Sequence, residues 1–562
     1  MRKYRLTIVG LVFLTAATSA PGPRLSQSAV LANDLATNYL EAFKSRFPES
    51  DPENSDGLFD NSIHAYDAWY AREASFLAEL RRVMQTLPSA ASEAMTLALM
   101  RERLEMSQQY RSCRRELWNV GPLTGWLNEY RAVAARQPVG NEPARQAALR
   151  RWRKLPAFID VEIENLRTGV AVGYSAPRML VDGAISQIDE VLAQPAAGSP
   201  FYAPATHDTS RAFRRAFESL VRDSLTPALW RYRNFLANEY WPRARTSVGL
   251  LGIPNGAACF RALIRRYTTV SMTPSELQSA GRALLASGNA SEIRRRQLAL
   301  RADPANRFTS SKEALGAMTK ALERAAAAAP KWFGRLPEPL IPVVYAMPEA
   351  GASDPDAVYV PASADQPPRV YVNVPRLMED GGRLYGERLA FHEGTPGHHL
   401  QVALQNSADV HPLNRLLWNA AFGEGWAVYA SNLAVEMGLY SSDVTKFAHT
   451  KAKIDDGLTF MVQDGLHELG WSRQDAIDTL FTYSGVSKEE AAEQVNYFIA
   501  APAHALAYPL GAWHIENLRR EAARELGGKF DVRQFHDVVL SGGAVPLSVL
   551  TEAVARWVQL RR

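Results

Sequence analysis

From about residue 33 to 330, apolar side chains recur every three or four positions with charged residues between them. That spacing matches the turn of an α-helix with one buried face, so it commits this part of the chain to helices. The helix starts are marked as well. "TPSELQSAGRALL" sets Thr273 before Pro274, with Glu276 three residues after the cap. This is a capping box with a first-turn proline. "SSKEALGAMTKALERAAAAAP" repeats the relation with Ser310 and Glu313 and stops at Pro330. Proline and glycine clusters near 187–206 and 250–256 read as loops within the domain.

Between 340 and 376 the period changes. Short β-branched and aromatic runs, "LIPVVYAM", "DAVYVP" and "RVYVNV", stand between turn residues and predict a small sheet. From 382 helices return, through "LYGERLAFHE", "HHLQVALQ" and "LNRLLWNAAFGEGWAVYASNLAVEM", the last beginning near 415. The expected fold is therefore mostly α. Residues 33–562 form a single large helical domain, with a small β-sheet at about 340–376 and a histidine-rich half at about 382–550.

The segment before this, "MRKYRLTIVGLVFLTAATSA", has a basic start, an apolar run and a small-residue end, as a secretory leader does. Pro21 disfavours cleavage after Ala20, and "VLA" at 30–32 offers a later site, so the leader is taken as 1–32. The rest reads as an exported protein, periplasmic or secreted, with no stable membrane insertion once the leader is removed. Cys113 and Cys259 are the two cysteines. In an oxidising compartment they are expected to pair. Arg2, Lys3 and Arg5 carry three of the four net positive charges. The balance that remains argues against nucleic acid, which demands a concentrated basic surface.

Nine of the eleven histidines fall between 392 and 536, which directs attention to "AFHEGTPGHHLQ" at 390–401. Zinc sites of the His-Glu-x-x-His kind place two histidines four apart on one helical face. Here the fourth residue after His392 is Pro396, which disfavours helix at Thr395. On a regular helix His398 would point about 240° round, and His399 would lie roughly 10 Å further along the axis. A loop-out of two residues across Gly394–Gly397 would bring His398 into register with His392. These two are the expected metal ligands, with His399 as the alternative ligand or an outer donor. The same break suits an ordinary irregular turn. "FGEGWAVYA" supplies a third ligand candidate in Glu424, whose apolar surroundings make an unpaired carboxylate costly.

These residues resemble a known family, the bacterial domain of unknown function 885, whose members look like gluzincin-type zinc peptidases. The likeness rests on "FHEGTPGHHLQ" and "GEGWAVYA", with "LGIPNGAACFRALIRRYTTVSMTPSEL", "RVYVNV" and the stretch from "PAHALAYPLGAWHIENLRREAARELGG" to 550. It implies a metallopeptidase-like helical fold with a deep cleft, a Zn2+ cofactor, and hydrolysis of short peptides or related small amides. Three positions depart from the family's usual pattern. Ser431 and Asn496 stand where a glutamate and an arginine are usual, and His504 replaces a glutamine.

The roles expected on this basis follow metal-hydrolase chemistry. Zinc polarises the scissile carbonyl, and Glu393 takes the proton of the attacking water and passes it to the leaving amine. Tyr508, with His504 four residues before it, is the expected oxyanion donor. The "RVYVNV" strand, including Asn373, is expected to offer an edge to an extended substrate, and Arg519 to receive a substrate carboxylate. His467 and His536 are read as structural. Two rival readings keep the same residues: a helical binding protein without turnover, and a zinc hydrolase acting on a non-peptide amide.

Overall fold

A computed structural model describes residues 27–51, 56–87, 93–348, 355–363 and 366–562. Helices dominate it, joined by one three-stranded sheet. Most of the expected leader lies outside the described residues. The "VLA" segment at 30–32 belongs to helix Gln27–Arg46, whose Ala29, Ala32, Leu35 and Tyr39 are buried. Among the described residues, no helix is long and apolar enough to cross a membrane.

The predicted caps form. Thr273 Oγ1 accepts the Glu276 N–H at 3.3 Å, and Glu276 Oε2 accepts the Thr273 N–H at 2.7 Å. Ser310 caps Glu313 in the same way at 3.2 Å, but Glu313 reaches back one residue further, to the N–H and hydroxyl of Thr309. The first helices of the chain share their apolar faces with its last. Tyr39, Leu80, Leu97 and Met100 pack in one cluster with Leu400, Phe422, Trp426, Ile515 and Val558. The two ends therefore bury each other, and Leu400 and Leu404 of helix His398–Ser407 lie in that shared core.

Cys113 and Cys259 are joined in a disulfide across 146 residues. The bridge is buried with Leu117, Trp118, Phe260, Leu506 and Leu510. It ties the segment after helix Ala94–Tyr110 to helix Gly256–Thr268.

The sheet comprises β1 (Val343–Ala346), β2 (Ala357–Val360) and β3 (Arg369–Val372) in the order β1-β3-β2. β1 runs parallel to β3 with Val343 opposite Arg369, and β2 runs antiparallel with Ala357 opposite Val372. The buried Ala357, Val370 and Val372 pack on Ala314, Met318 and Leu322 of helix Ser311–Ala328, and on Ala390 and Phe391. This corrects one expectation. β3, the "RVYVNV" strand, has a partner on each side and offers no free edge. The strand that meets the histidine segment is β2.

Candidate metal centre

Helix Gly382–Glu393 carries His392 and Glu393 in its last turn and ends there. Gly394, Thr395, Pro396 and Gly397 then lead into a second helix, His398–Ser407. The expected two-residue loop-out is thus a four-residue break between two helices. Thr395 cannot continue a helix into Pro396, and the segment is held from outside. Thr395 Oγ1 donates to Leu340 O at 2.5 Å, and Trp426 Nε1 donates to Pro396 O at 3.0 Å. Gly397 is required by the fold-back, because a Cβ there would stand 1.9 Å from His392 O.

The break turns His392 and His398 toward each other, with ring centroids 4.8 Å apart and planes at 87°. Both Nε2 atoms approach one oxygen of Glu424, at 3.6 Å from His392 and 3.3 Å from His398. Glu424 projects from helix Ala420–Glu436, which starts five residues later than expected because Asn419 caps it, accepting the Phe422 N–H at 2.9 Å. Burial opposes charge on Glu424, yet the two histidines hold its carboxyl well below the usual range. Burial likewise works against charge on His398, and the neighbouring Glu424 carboxylate outweighs it and raises that basicity.

Glu393 stands beside this triad. His392, Glu393 and His398 each present an atom within 4.8 Å of the others. Glu424 is the tighter partner of both rings, and Glu393 has a different tie: its Oε2 accepts the Tyr359 N–H of β2 at 2.9 Å. His399 faces away from the triad. Its Nε2 lies 2.8 Å from Pro339 O and its Nδ1 3.1 Å from the Tyr359 hydroxyl.

Tyr508 stacks on His392 with centroids 6.4 Å apart and planes at 13°. Burial pushes its phenol far up, and the Glu424 charge adds to that, so it stays a protonated donor. It comes from helix Ala507–Leu526, which crosses the Glu424 helix where two glycines meet. A Cβ on Gly425 would lie 2.4 Å from Gly511 Cα, and one on Gly511 would lie 1.8 Å from Ala421 O. Gly511→Ala must therefore force the helices apart. It is expected to destabilise the protein by about 1–3 kcal/mol or more in denaturant unfolding. Unchanged stability would remove this account of how the site is built.

His504 lies 6.0 Å from the Tyr508 ring and contacts the Tyr497 hydroxyl through Nδ1. Burial lowers its basicity. Two expected substrate residues are occupied elsewhere. Asn373 is buried and caps the short helix Val374–Leu377, accepting the Arg376 N–H at 3.3 Å. Arg519 forms a two-pronged pair with Glu436 at 2.9 and 2.8 Å. Of the departures, Ser431 is buried and donates to Val428 O at 2.9 Å, and Asn496 accepts from Arg473 at 2.8 Å. His467 and His536 are structural, bonded to Phe498 O at 3.1 Å and Trp332 O at 2.8 Å. Sequence reasoning missed Tyr359, Tyr497 and Tyr267, the last 4.9 Å from His504. Tyr359 acts on Glu393 through its backbone, which leaves no residue signature.

Fold and site together define a mostly helical protein that gathers two histidines and two glutamates at one point beside a small sheet. The chain belongs to the family of bacterial proteins of unknown function DUF885, whose profile matches residues 48–554. Two solved structures share its fold. A candidate lipoprotein from Colwellia psychrerythraea is 21% identical, with a TM-score of 0.83 over 94% of this chain and 99% of that one. A candidate lipoprotein of unknown function from Shewanella oneidensis is 16% identical, with a TM-score of 0.68 over 94% and 100%. No curated protein matches.

Proposed function

We propose that the protein is an exported, zinc-dependent hydrolase of the gluzincin type that cleaves amide bonds in short peptides. The observation that carries this reading is the shared approach of His392 Nε2 and His398 Nε2 to Glu424 Oε2, at 3.6 and 3.3 Å. Tetrahedral zinc with N and O ligands at about 2.0–2.2 Å requires ligand atoms about 3.3–3.5 Å apart. A direct charge-assisted hydrogen bond would be shorter, about 2.7–2.9 Å. The donor set fits an ion better than it fits an ion pair.

When bound, zinc supplies Lewis acidity to the substrate carbonyl and to the attacking water. The chain's own residues do the rest. Glu393 is placed to take a proton from that water and return it to the leaving nitrogen. The N–H of Tyr359 fixes one of its oxygens and leaves the other for this transfer. The Tyr508 phenol, beside His392, donates to the oxyanion as the carbonyl carbon becomes tetrahedral. His504, with Nδ1 taken by Tyr497, keeps Nε2 for substrate.

Export is part of this reading, supported by the leader-like first segment and by two structural neighbours described as candidate lipoproteins. The two cysteines of this chain are bonded to each other, so neither is a free thiol for acylation.

The test is metal analysis of the purified protein together with digestion of a mixed peptide library. Close to one zinc per chain and cleavage that chelation stops are the expected results. Zinc without cleavage of any peptide would favour a binding protein, or a hydrolase of another amide. Absence of any bound divalent metal after zinc dialysis would end the proposal.

A further inference from the structure

We propose that Arg115 and Arg266 form an anion site that receives the C-terminal carboxylate of the substrate, so that cleavage releases a short piece from that end. The inference rests on the hydrolase reading and gives it a direction.

The disulfide holds the two arginines in fixed relation. Arg115 follows Cys113 by two residues, and Arg266 lies seven after Cys259 on helix Gly256–Thr268, two turns along. The Arg266 guanidinium stands 4.4 Å over the Tyr110 ring and 6.0 Å from that of Tyr267. Arg115 lies 4.1 Å over Trp118, and its Nε and Nη2 donate to Asn119 at 3.1 Å and Thr124 at 2.6 Å. The charges of both act on Tyr110.

Neither arginine makes an ion pair among the described residues, although acids are near. Those acids are taken by the arginines next in sequence. Arg114 pairs with Glu116 at 2.5 Å, and Arg265 pairs with Glu102 at 2.8 Å and Glu105 at 3.2 Å. Glu162, the acid whose charge reaches Arg115, accepts from Asn61 at 3.1 Å, and burial pushes its carboxyl up to about 7. A half-buried guanidinium without an anion is unfavourable. Their planar donors match a carboxylate.

Placement links this pair to the metal centre. Tyr267 touches His504 at 4.9 Å, His504 lies 6.0 Å from Tyr508, and Tyr508 stacks on His392. An extended peptide of four or five residues, about 13–18 Å long, covers the three ring contacts from Tyr267 to His392.

The probe is a randomised mixture of N-acetylated tetrapeptides, prepared as free acids and again as C-terminal amides. Binding to zinc-loaded Glu393→Gln protein is expected to favour the acids by about tenfold or more. Arg266→Gln and Arg115→Gln should each reduce that preference, while Arg266→Lys keeps part of it as a point charge. A preference retained in both glutamine variants, equal binding of the two mixtures, or binding of neither overturns the inference. An acid preference that depends on the arginines, in a native protein that cleaves none of the peptides, overturns the hydrolase reading and leaves the anion site standing.

Discussion

Glu393→Gln is expected to lower peptide turnover by about 10²–10⁴-fold, the range that a positioned acid–base group contributes. The substitution keeps side-chain shape, and the amide oxygen can still accept the Tyr359 N–H. The residues proposed to hold zinc, His392, His398 and Glu424, are unchanged, so zinc content and melting temperature should stay at the native level. What is lost is the ability to accept a proton. Turnover within tenfold of native, with zinc in place, would mean that another group moves the proton and that Glu393 only braces β2.

The histidine pair separates ligand from scaffold even more sharply. His398→Ala removes one of two imidazoles that meet Glu424, and zinc affinity should fall by more than about 100-fold, the upper end for loss of an outer partner alone. His399→Ala should leave zinc bound. It deletes contacts to Pro339 O and the Tyr359 hydroxyl, and the cost should appear in unfolding, at about 1–3 kcal/mol for stranding buried polar partners. Chelator competition and thermal melts on both variants decide it. Metal lost from the His399 variant and kept by the His398 variant would overturn the ligand assignment.

How much of this was legible in the sequence depends on which interactions carry a local signature. Thr273 and Glu276 announce a helix start because the bonds they make lie within three residues. Glu313 is expected to close the same box, yet it accepts from the N–H and hydroxyl of Thr309, one residue earlier than the cap. The three strands were visible as β-branched runs, but strand order is set by what packs beside each strand, and nothing in "RVYVNV" says that both its edges are taken. In the histidine segment, Pro396 excludes a continuous helix and so predicts a break, while the length of that break depends on Leu340 and Trp426, distant in sequence. The expectation for Asn373 rests on its place in the "RVYVNV" strand, and that for Arg519 on its planar donors. A buried helix cap claims the first and Glu436 the second, and neither pairing has a mark at the residue itself. The paired arginines escaped notice for the opposite reason, since what distinguishes them is a missing neighbour.

The crossing of Gly425 and Gly511 bears on motion. Where two helices touch main chain to main chain, no rotamer can change to let one slide over the other. Glu424 and Tyr508, one residue before and three before those glycines, are therefore fastened as a single block. Any opening that admits a substrate must come from elements outside this block, such as β2, whose Tyr359 N–H holds Glu393.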